Sequence, residues 1–381
     1  MDPLPGGLLP ESVRSRFVEG VNGLRVHILE AGYEGPERPM ILLLHGFPEL
    51  AYSWRKVMGP LAAAGYHVVA PDVRGYGRTT GFDASYDCDV EDFRLLHLTT
   101  DAVALVFALG RKSVAAVVGH DLGSPLAAWC AIARPDVFPA VVLMSAPFGG
   151  TPLLPFDTNR NPRPAPPVPD IHRELAELER PRKHYVWYYA TRHADADMLS
   201  CPQGLHAFLR AYYHVKSADW DGNRPHPLKA RTADELAKLP TYYIMDRDAD
   251  MAATVAPFMP SPAEVARCAW LTEAELAVYA GEFERTGFQG ALNCYRGMIT
   301  PRNRSELVFA GRKIDVPSTF IAGANDWGIY QTPGAFEVMQ GRSCTQFTGA
   351  HLIAGAGHWV QQERPEQVTQ LVLEFLSGLS R

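Results

Sequence analysis

The chain has no surplus of positive charge. Its 381 residues hold 36 Lys and Arg against 42 Asp and Glu, a formal net charge of −6. A nucleic-acid binder carries a basic stripe or patch to meet phosphates, so that class is set aside. There is no C-x-x-C pair among the six cysteines, at 88, 130, 201, 268, 294 and 344. A chain this long needs no disulfide staples, and reduced thiols in a cytoplasmic protein are expected. No apolar run approaches the roughly 18 residues that span a bilayer. The opening MDPLPGGLLP has an acid at position 2 and three prolines, without the basic and apolar regions of a signal peptide. A P-loop and H-E-x-x-H are absent, and Gly75-Tyr76-Gly77 lacks the third glycine of a dinucleotide fingerprint. Asp246-x-Asp248-x-Asp250 fails as a calcium loop, with Met251 in place of glycine and Pro257 in place of the bidentate glutamate. No metal and no cofactor are expected. G-x-S-x-G is missing too, which disfavours a serine esterase.

What is present is an ordinary globular composition, 47% hydrophobic and 10% aromatic, enough to bury a sizeable core. Strand candidates are Arg16–Gly20, Leu24–Glu30, Met40–Leu44, Tyr66–Ala70, Val114–Val118 and Ala140–Ser145. The later ones are short, β-branched apolar runs, as buried parallel strands are. Asn22-Gly23 marks a hairpin between the first two. Helical patterns around Ala51–Ala64, Val90–Leu109 and Pro125–Ala133 alternate with the strands, which predicts crossovers and a sheet covered on both faces. Prolines at 152, 155, 162, 164, 166, 167 and 169 then suit a semi-rigid linker over about 151–170. Helix signals dominate 151–305, with capping boxes at Thr232-x-x-Glu235 and Thr272-x-x-Glu275 and proline after Ser261. No convincing strand series appears there. Strands resume at Val316–Ala322 and near His351–Ala354, and a helix closes over Pro365–Leu379. The expected organisation is an α/β core over 1–150 and 306–381, interrupted by a helical insertion over 151–305.

The strongest chemical signal is Gly119-His120-Asp121-Leu122-Gly123, between an apolar strand and a helix. Small residues flank a sharp strand-to-helix turn, because a Cβ there meets the approaching backbone. Such an elbow lifts one side chain above the carboxyl edge of the sheet. Here that side chain is Asp121, which as a lone residue would read sooner as a helix N-cap; the strand, both glycines and the partners below weigh against that. A carboxylate is ionised near neutral pH and needs no activating base. As a weak nucleophile it suits displacement at saturated carbon, such as a strained epoxide or a carbon–halogen bond. Asp326 follows the strand at 316–322, and His358 follows the next strand, in the order nucleophile, acid, histidine. Asp326 would orient His358, and His358 would deprotonate water for attack on the Asp121 ester. His45-Gly46-Phe47-Pro48 follows Met40–Leu44. The Phe47 and Leu122 amides are candidates for an oxyanion hole, where one donor is worth roughly 3–4 kcal/mol. Pro48 is a candidate cis residue.

These residues resemble the epoxide hydrolase branch of the α/β-hydrolase superfamily. The likeness rests on HGFPE at 45–49, GHDLG at 119–123, GANDWG at 323–328 and GHWVQQERP at 357–365. It implies an eight-stranded, mostly parallel sheet with a helical lid, and two lid tyrosines that hydrogen-bond the epoxide oxygen. Tyr295 matches one, in a segment where the family commonly has tryptophan at the Cys294 position. Tyr185 fits the other best, with Tyr188 and Tyr189 as alternatives. Trp187, Tyr188, Pro48 and His120 are the expected substrate-binding residues. The implied reaction is hydrolysis of an epoxide to a vicinal diol with water alone; the aromatic-rich lid points to an apolar or aromatic epoxide, and a monomer or homodimer is expected. Two other readings stand beside it: a hydrolytic dehalogenase with the same nucleophile, and an idle hydrolase fold that only binds a ligand. Dehalogenases often place a tryptophan directly after the nucleophile; Leu122 stands there.

Overall fold

In the computed structural model, which describes residues 2–154, 170–300 and 304–379, the apolar runs become strands. In chain order these are β1 (Val13–Val21), β2 (Leu24–Ala31), β3 (Met40–Leu44), β4 (His67–Pro71), β5 (Ala116–His120), β6 (Val141–Met144), β7 (Arg182–His184), β8 (Ile244–Asp246), β9 (Ile314–Gly323) and β10 (Cys344–Ile353). Eight of them form one sheet in the order β1-β2-β4-β3-β5-β6-β9-β10. β2 pairs antiparallel with β1 and β4, and every other neighbour is parallel. The β1–β2 hairpin turns at Asn22 and Gly23, with φ of 50° and 81°. Positive φ at both central residues matches the strands' own twist.

β3, β5 and β6 are buried along their whole length, as strands covered on both faces must be. Helices Arg55–Ala63 and Pro365–Leu379 cover one face, meeting Ile41, Val68, Val118 and Val142 through Val57, Leu61, Val368 and Val372. Helices Leu95–Ala108 and Gly123–Ala133 cover the other.

Between β6 and β9 the chain leaves the sheet and forms mainly helices, the longest being Leu205–Lys216, Glu273–Thr286 and Gln289–Ile299. Their buried Phe208, Tyr213, Tyr279 and Phe283 share one apolar cluster with Phe47, Trp327 and Trp359, which follow sheet strands. The insertion therefore sits on the loops at the strands' carboxyl ends. It also holds the antiparallel pair β7–β8, unforeseen in the sequence because three residues are too few to show alternation. The Thr272 and Ser261 caps form. The Thr232 cap does not; the Glu235 carboxylate instead accepts the Lys229 amide at 3.0 Å. Asp246 pairs with Arg180 and Arg182, and Asp250 caps the helix Met251–Val255, so the failed calcium motif has structural work. The prolines at 155, 162, 164, 166, 167 and 169 lie outside the described residues. Among those described, no helix is long and apolar enough to cross a membrane.

Candidate active site

The elbow exists because two glycines permit it. A Cβ on Gly119 would run into the Gly123 backbone, and one on Gly123 into the Leu44 carbonyl. Asp121 sits at the bend with φ 52°, a left-handed conformation rare for a side-chain-bearing residue. Such strain persists only where the surroundings over-determine it, and it clusters at functional sites. Each carboxylate oxygen faces its own partner. Oδ1 accepts the Phe47 amide at 3.0 Å. Oδ2 lies 3.2 Å from His358 Nε2, within ion-pair range but not aligned as a hydrogen bond. The Phe47–Pro48 peptide is cis, as the sequence suggested.

His358 Nδ1 meets the two oxygens of Asp326 at 3.1 and 3.2 Å. Asp326 also accepts the Gly328 amide at 2.7 Å, which fixes the carboxylate behind the imidazole. Asp121, Asp326 and His358 thus come together from the ends of β5, β9 and β10, all buried. Burial would push His358 down, and the Lys216 charge pushes the same way. The carboxylates of Asp326 and Asp121 outweigh both and hold it up at about 9. Burial would raise Asp121, but the imidazole of His358 against its Oδ2 and the charge of Lys216 hold it well below the usual carboxylate range. Asp121 is therefore held as a carboxylate around neutral pH.

Two buried phenols lie within reach of its charge. The rings of Tyr185 and Tyr295 are 6.0 Å apart, and Tyr295 packs edge-on to Phe47 at 5.5 Å. Burial, then the Asp121 charge, raises both phenols well above 10, so both stay protonated donors. The Tyr185 hydroxyl donates to Gln331 Oε1 at 3.1 Å. The alternatives point elsewhere: Tyr188 to Asp197 at 3.2 Å, and Tyr189 to the Tyr212 hydroxyl at 3.2 Å.

The expected substrate-binding residues need correction. His120 is fully buried, donating to Glu49 at 2.6 Å and to the His358 carbonyl at 2.7 Å. It is a strut beneath the base. Tyr188 is held away by Asp197. Trp187 is 38% exposed and stacks on His172 at 4.5 Å, outside the apolar cluster around Tyr295. Pro48 is buried, its carbonyl accepting the Tyr213 hydroxyl at 2.8 Å. Leu122 precedes the helix Gly123–Ala133 and borders a cavity of about 140 Å³ shared with Tyr76 and Cys294.

Several residues escaped the sequence. Glu49 accepts from the Gly46 amide at 3.0 Å, Gln361 at 2.8 Å and His120, tying the Phe47 turn to the base's loop. It closes HGFPE, so its position was a signal. Lys216, four residues after Tyr212 on one helix face, had only that spacing to mark it. Tyr243 is raised by burial first, and lies near enough for the charges of Asp326 and Asp121 to add to it. Among the described residues, no group of three His, Cys, Asp or Glu side chains is placed to hold a metal ion.

Residues 39–174 match the family model for the alpha/beta hydrolase fold. Epoxide hydrolase A of Mycobacterium tuberculosis is 36% identical, over 94% of this chain and 96% of that protein. Epoxide hydrolase B of the same organism is 34% identical over the same shares. An epoxide hydrolase from an endophytic Streptomyces superposes with a TM-score of 0.75 at 34% identity, covering 97% of each chain. Potato epoxide hydrolase I gives 0.69 at 31%, over 96% of this chain and 99% of that one. With likeness running from end to end and an aspartate at the elbow, this chain belongs to the epoxide hydrolase branch of the α/β-hydrolase superfamily.

Proposed function

We propose that the protein hydrolyses an apolar or aromatic epoxide to a vicinal diol in two steps, with Asp121 as nucleophile. The observation that carries this is the division of labour on its carboxylate. Oδ1 is held by the Phe47 amide, leaving Oδ2 to attack a ring carbon. Tyr185 and Tyr295 donate to the epoxide oxygen as charge develops there, then supply a proton. Their raised pKa keeps them donors, yet an alkoxide is far more basic.

In the second step water, deprotonated by His358 Nε2, adds to the carbonyl carbon of the Asp121 ester. Negative charge then grows on the oxygen that already faces the Phe47 amide, with the Leu122 amide at the helix N-terminus as second donor. Asp326 keeps Nε2 turned to the water and balances the imidazolium. The insertion over 151–305 acts as a lid on the core of 1–150 and 306–381. Its aromatic lining suits an apolar substrate, and the protein works in the cytoplasm as a monomer or homodimer. Leu122, with no side-chain donor for a departing halide, favours the epoxide over the carbon–halogen bond.

The test is intact mass on His358→Gln after exposure to a mixture of epoxides, a haloalkane and a haloacetate, with peptide mapping. The expected result is a stable adduct on Asp121 weighing one whole epoxide. An adduct lacking its halogen selects the dehalogenase. No adduct from an epoxide that wild type turns over refutes the covalent route.

A further inference from the structure

Lys216 ends the lid helix Leu205–Lys216 and is 5% exposed. A buried ammonium is costly unless a counter-ion meets it, and among the described residues none lies within ion-pair distance of this one. Its Nζ stands instead over three rings, 5.1 Å from the centre of Tyr243, 5.3 Å from Tyr212 and 5.4 Å from Trp359. Cation–π attraction offsets part of that cost. The same residue's carbonyl accepts the His358 amide at 2.9 Å. The cation is thus mounted on the base it influences, and its charge reaches both His358 and Asp121.

The charges around the base explain what such a cation does. At rest, the carboxylates Asp121 and Asp326 balance protonated His358 and Lys216. A protonated imidazole cannot take a proton from water. Ring opening turns Asp121 into a neutral ester, so one of the two carboxylates holding the proton on His358 disappears. Asp326 and Lys216 then balance each other around a neutral imidazole.

We propose that Lys216 is a positioning residue of the second half-reaction, its ammonium favouring the neutral, proton-accepting form of His358 once Asp121 carries the substrate. This rests on Asp121 being the nucleophile. In the first half-reaction the C–O bond of the ring breaks as Oδ2 bonds to carbon. The proton of His358 passes by way of the tyrosine hydroxyls to the freed oxygen. In the second, His358 takes a proton from water, the water oxygen bonds to the ester carbonyl carbon, and the bond to the diol oxygen breaks. That oxygen takes the proton from Nε2, and the new carboxyl of Asp121 gives its own to His358, restoring the resting charges.

Other charged or titratable groups face the base. From the core come Asp121, Asp326 and the His120–Glu49 pair, with the His120 ring 5.0 Å from that of His358. From the helix Val360–Glu363 comes Glu363, bound to the Gly357 and Trp359 amides. From the lid come Tyr212, Tyr242, Tyr243 and Lys216. All but Lys216 are common to wild type and the variants below, so their titrations cancel in the comparison.

The experiment is single-turnover rapid quench with styrene oxide from pH 5.5 to 9.5, following the ester by intact mass. Wild type is compared with Lys216→Met, which keeps length and apolar fit, and with Lys216→Arg. Expected is ester formation in all three. Its hydrolysis midpoint should move up by about one pH unit in Lys216→Met, with hydrolysis about tenfold slower below it, and return in Lys216→Arg. A common midpoint overturns the proposal, as does a loss confined to KM, which assigns Lys216 to substrate binding. If wild type forms no ester while turning the substrate over, the nucleophile assignment fails and this inference with it. Should Lys216→Met not fold, Lys216→Gln carries the same test.

Discussion

Among single residues, the proposed reaction gives Tyr185 and Tyr295 one shared task. Each would donate to an oxygen gaining charge, a bond worth roughly 1.5–3 kcal/mol. Tyr185→Phe and Tyr295→Phe should therefore each slow ester formation roughly ten- to a hundredfold while leaving ester hydrolysis close to wild type. Tyr188→Phe should change neither rate, since its hydroxyl serves Asp197. Rapid-quench measurement of both half-reactions separates the three. Equal effects from Tyr188 and Tyr185 would reopen the choice of the first tyrosine. That choice was only partly legible in the sequence, because Tyr185, Tyr188 and Tyr189 crowd one short segment. Which of the three lies close enough to feel the Asp121 charge depends on how the five-residue helix Tyr185–Tyr189 is seated, with the Tyr185 amide bonded to the Tyr243 carbonyl. Nothing in their residue type records that. Asp121 and His358 were legible because the elbow and the glycine bracket are local demands of the backbone. Lys216 was not, since its meaning comes from three rings and an imidazole, two of those groups far along the chain.

The elbow is the element on which the site depends, and glycines there behave differently from glycines in regular helix. A Cβ on Gly119 meets backbone atoms, among them Ser124 N at 2.8 Å, which cannot step aside without moving the nucleophile. Gly119→Ala should cost roughly 3 kcal/mol or more. Gly281, inside the helix Glu273–Thr286, has nothing within 4 Å of an added Cβ. Gly281→Ala should stabilise by roughly 0.5–1 kcal/mol. Urea unfolding of the two variants gives opposite signs; a neutral Gly119→Ala would mean the turn relaxes more freely than its contacts allow. The sheet was legible at this scale because parallel strands are continuous apolar runs. Pairs such as β7–β8 answer to neighbours distant in sequence, and the failed Thr232 cap to a local rival, the Lys229 amide.

The molecule as a whole should show pH-dependent stability with distinct limbs. Glu30 and Asp72 both oppose their burial, Glu30 through His67, Arg16 and Arg14 and Asp72 through His27. Each is lowered to about 2. Their stabilisation is present above the unfolded carboxylate range near 4 and is lost as pH falls toward 2. Glu363 is raised by burial to about 7, so its share declines as pH rises from about 4.5 to 7. His358, held at about 9 by its carboxylates against burial and Lys216, is fully stabilising below about 6.5 and loses that share on the way to 9. Each shift corresponds to about 2–3.5 kcal/mol at most. Unfolding free energy should peak near pH 5, and His358→Gln should remove the fall between pH 6.5 and 9. An unchanged alkaline fall in that variant would move its source to another group.

The seam that carries His358 is shared stitch by stitch between lid and core. Its amide bonds to Lys216, Gly357 packs against the Ser217–Ala218 backbone, and Glu363 grips the amides of Ala218, Gly357 and Trp359 at 2.9, 2.9 and 3.0 Å. The insertion cannot swing away as a hinged door without unseating the base. Domain shuffling inherits the same constraint. A chimera that imports another relative's insertion to change selectivity must import residues matched to Glu363 and to the His358 amide, or it will gain a new pocket and forfeit the histidine that empties it.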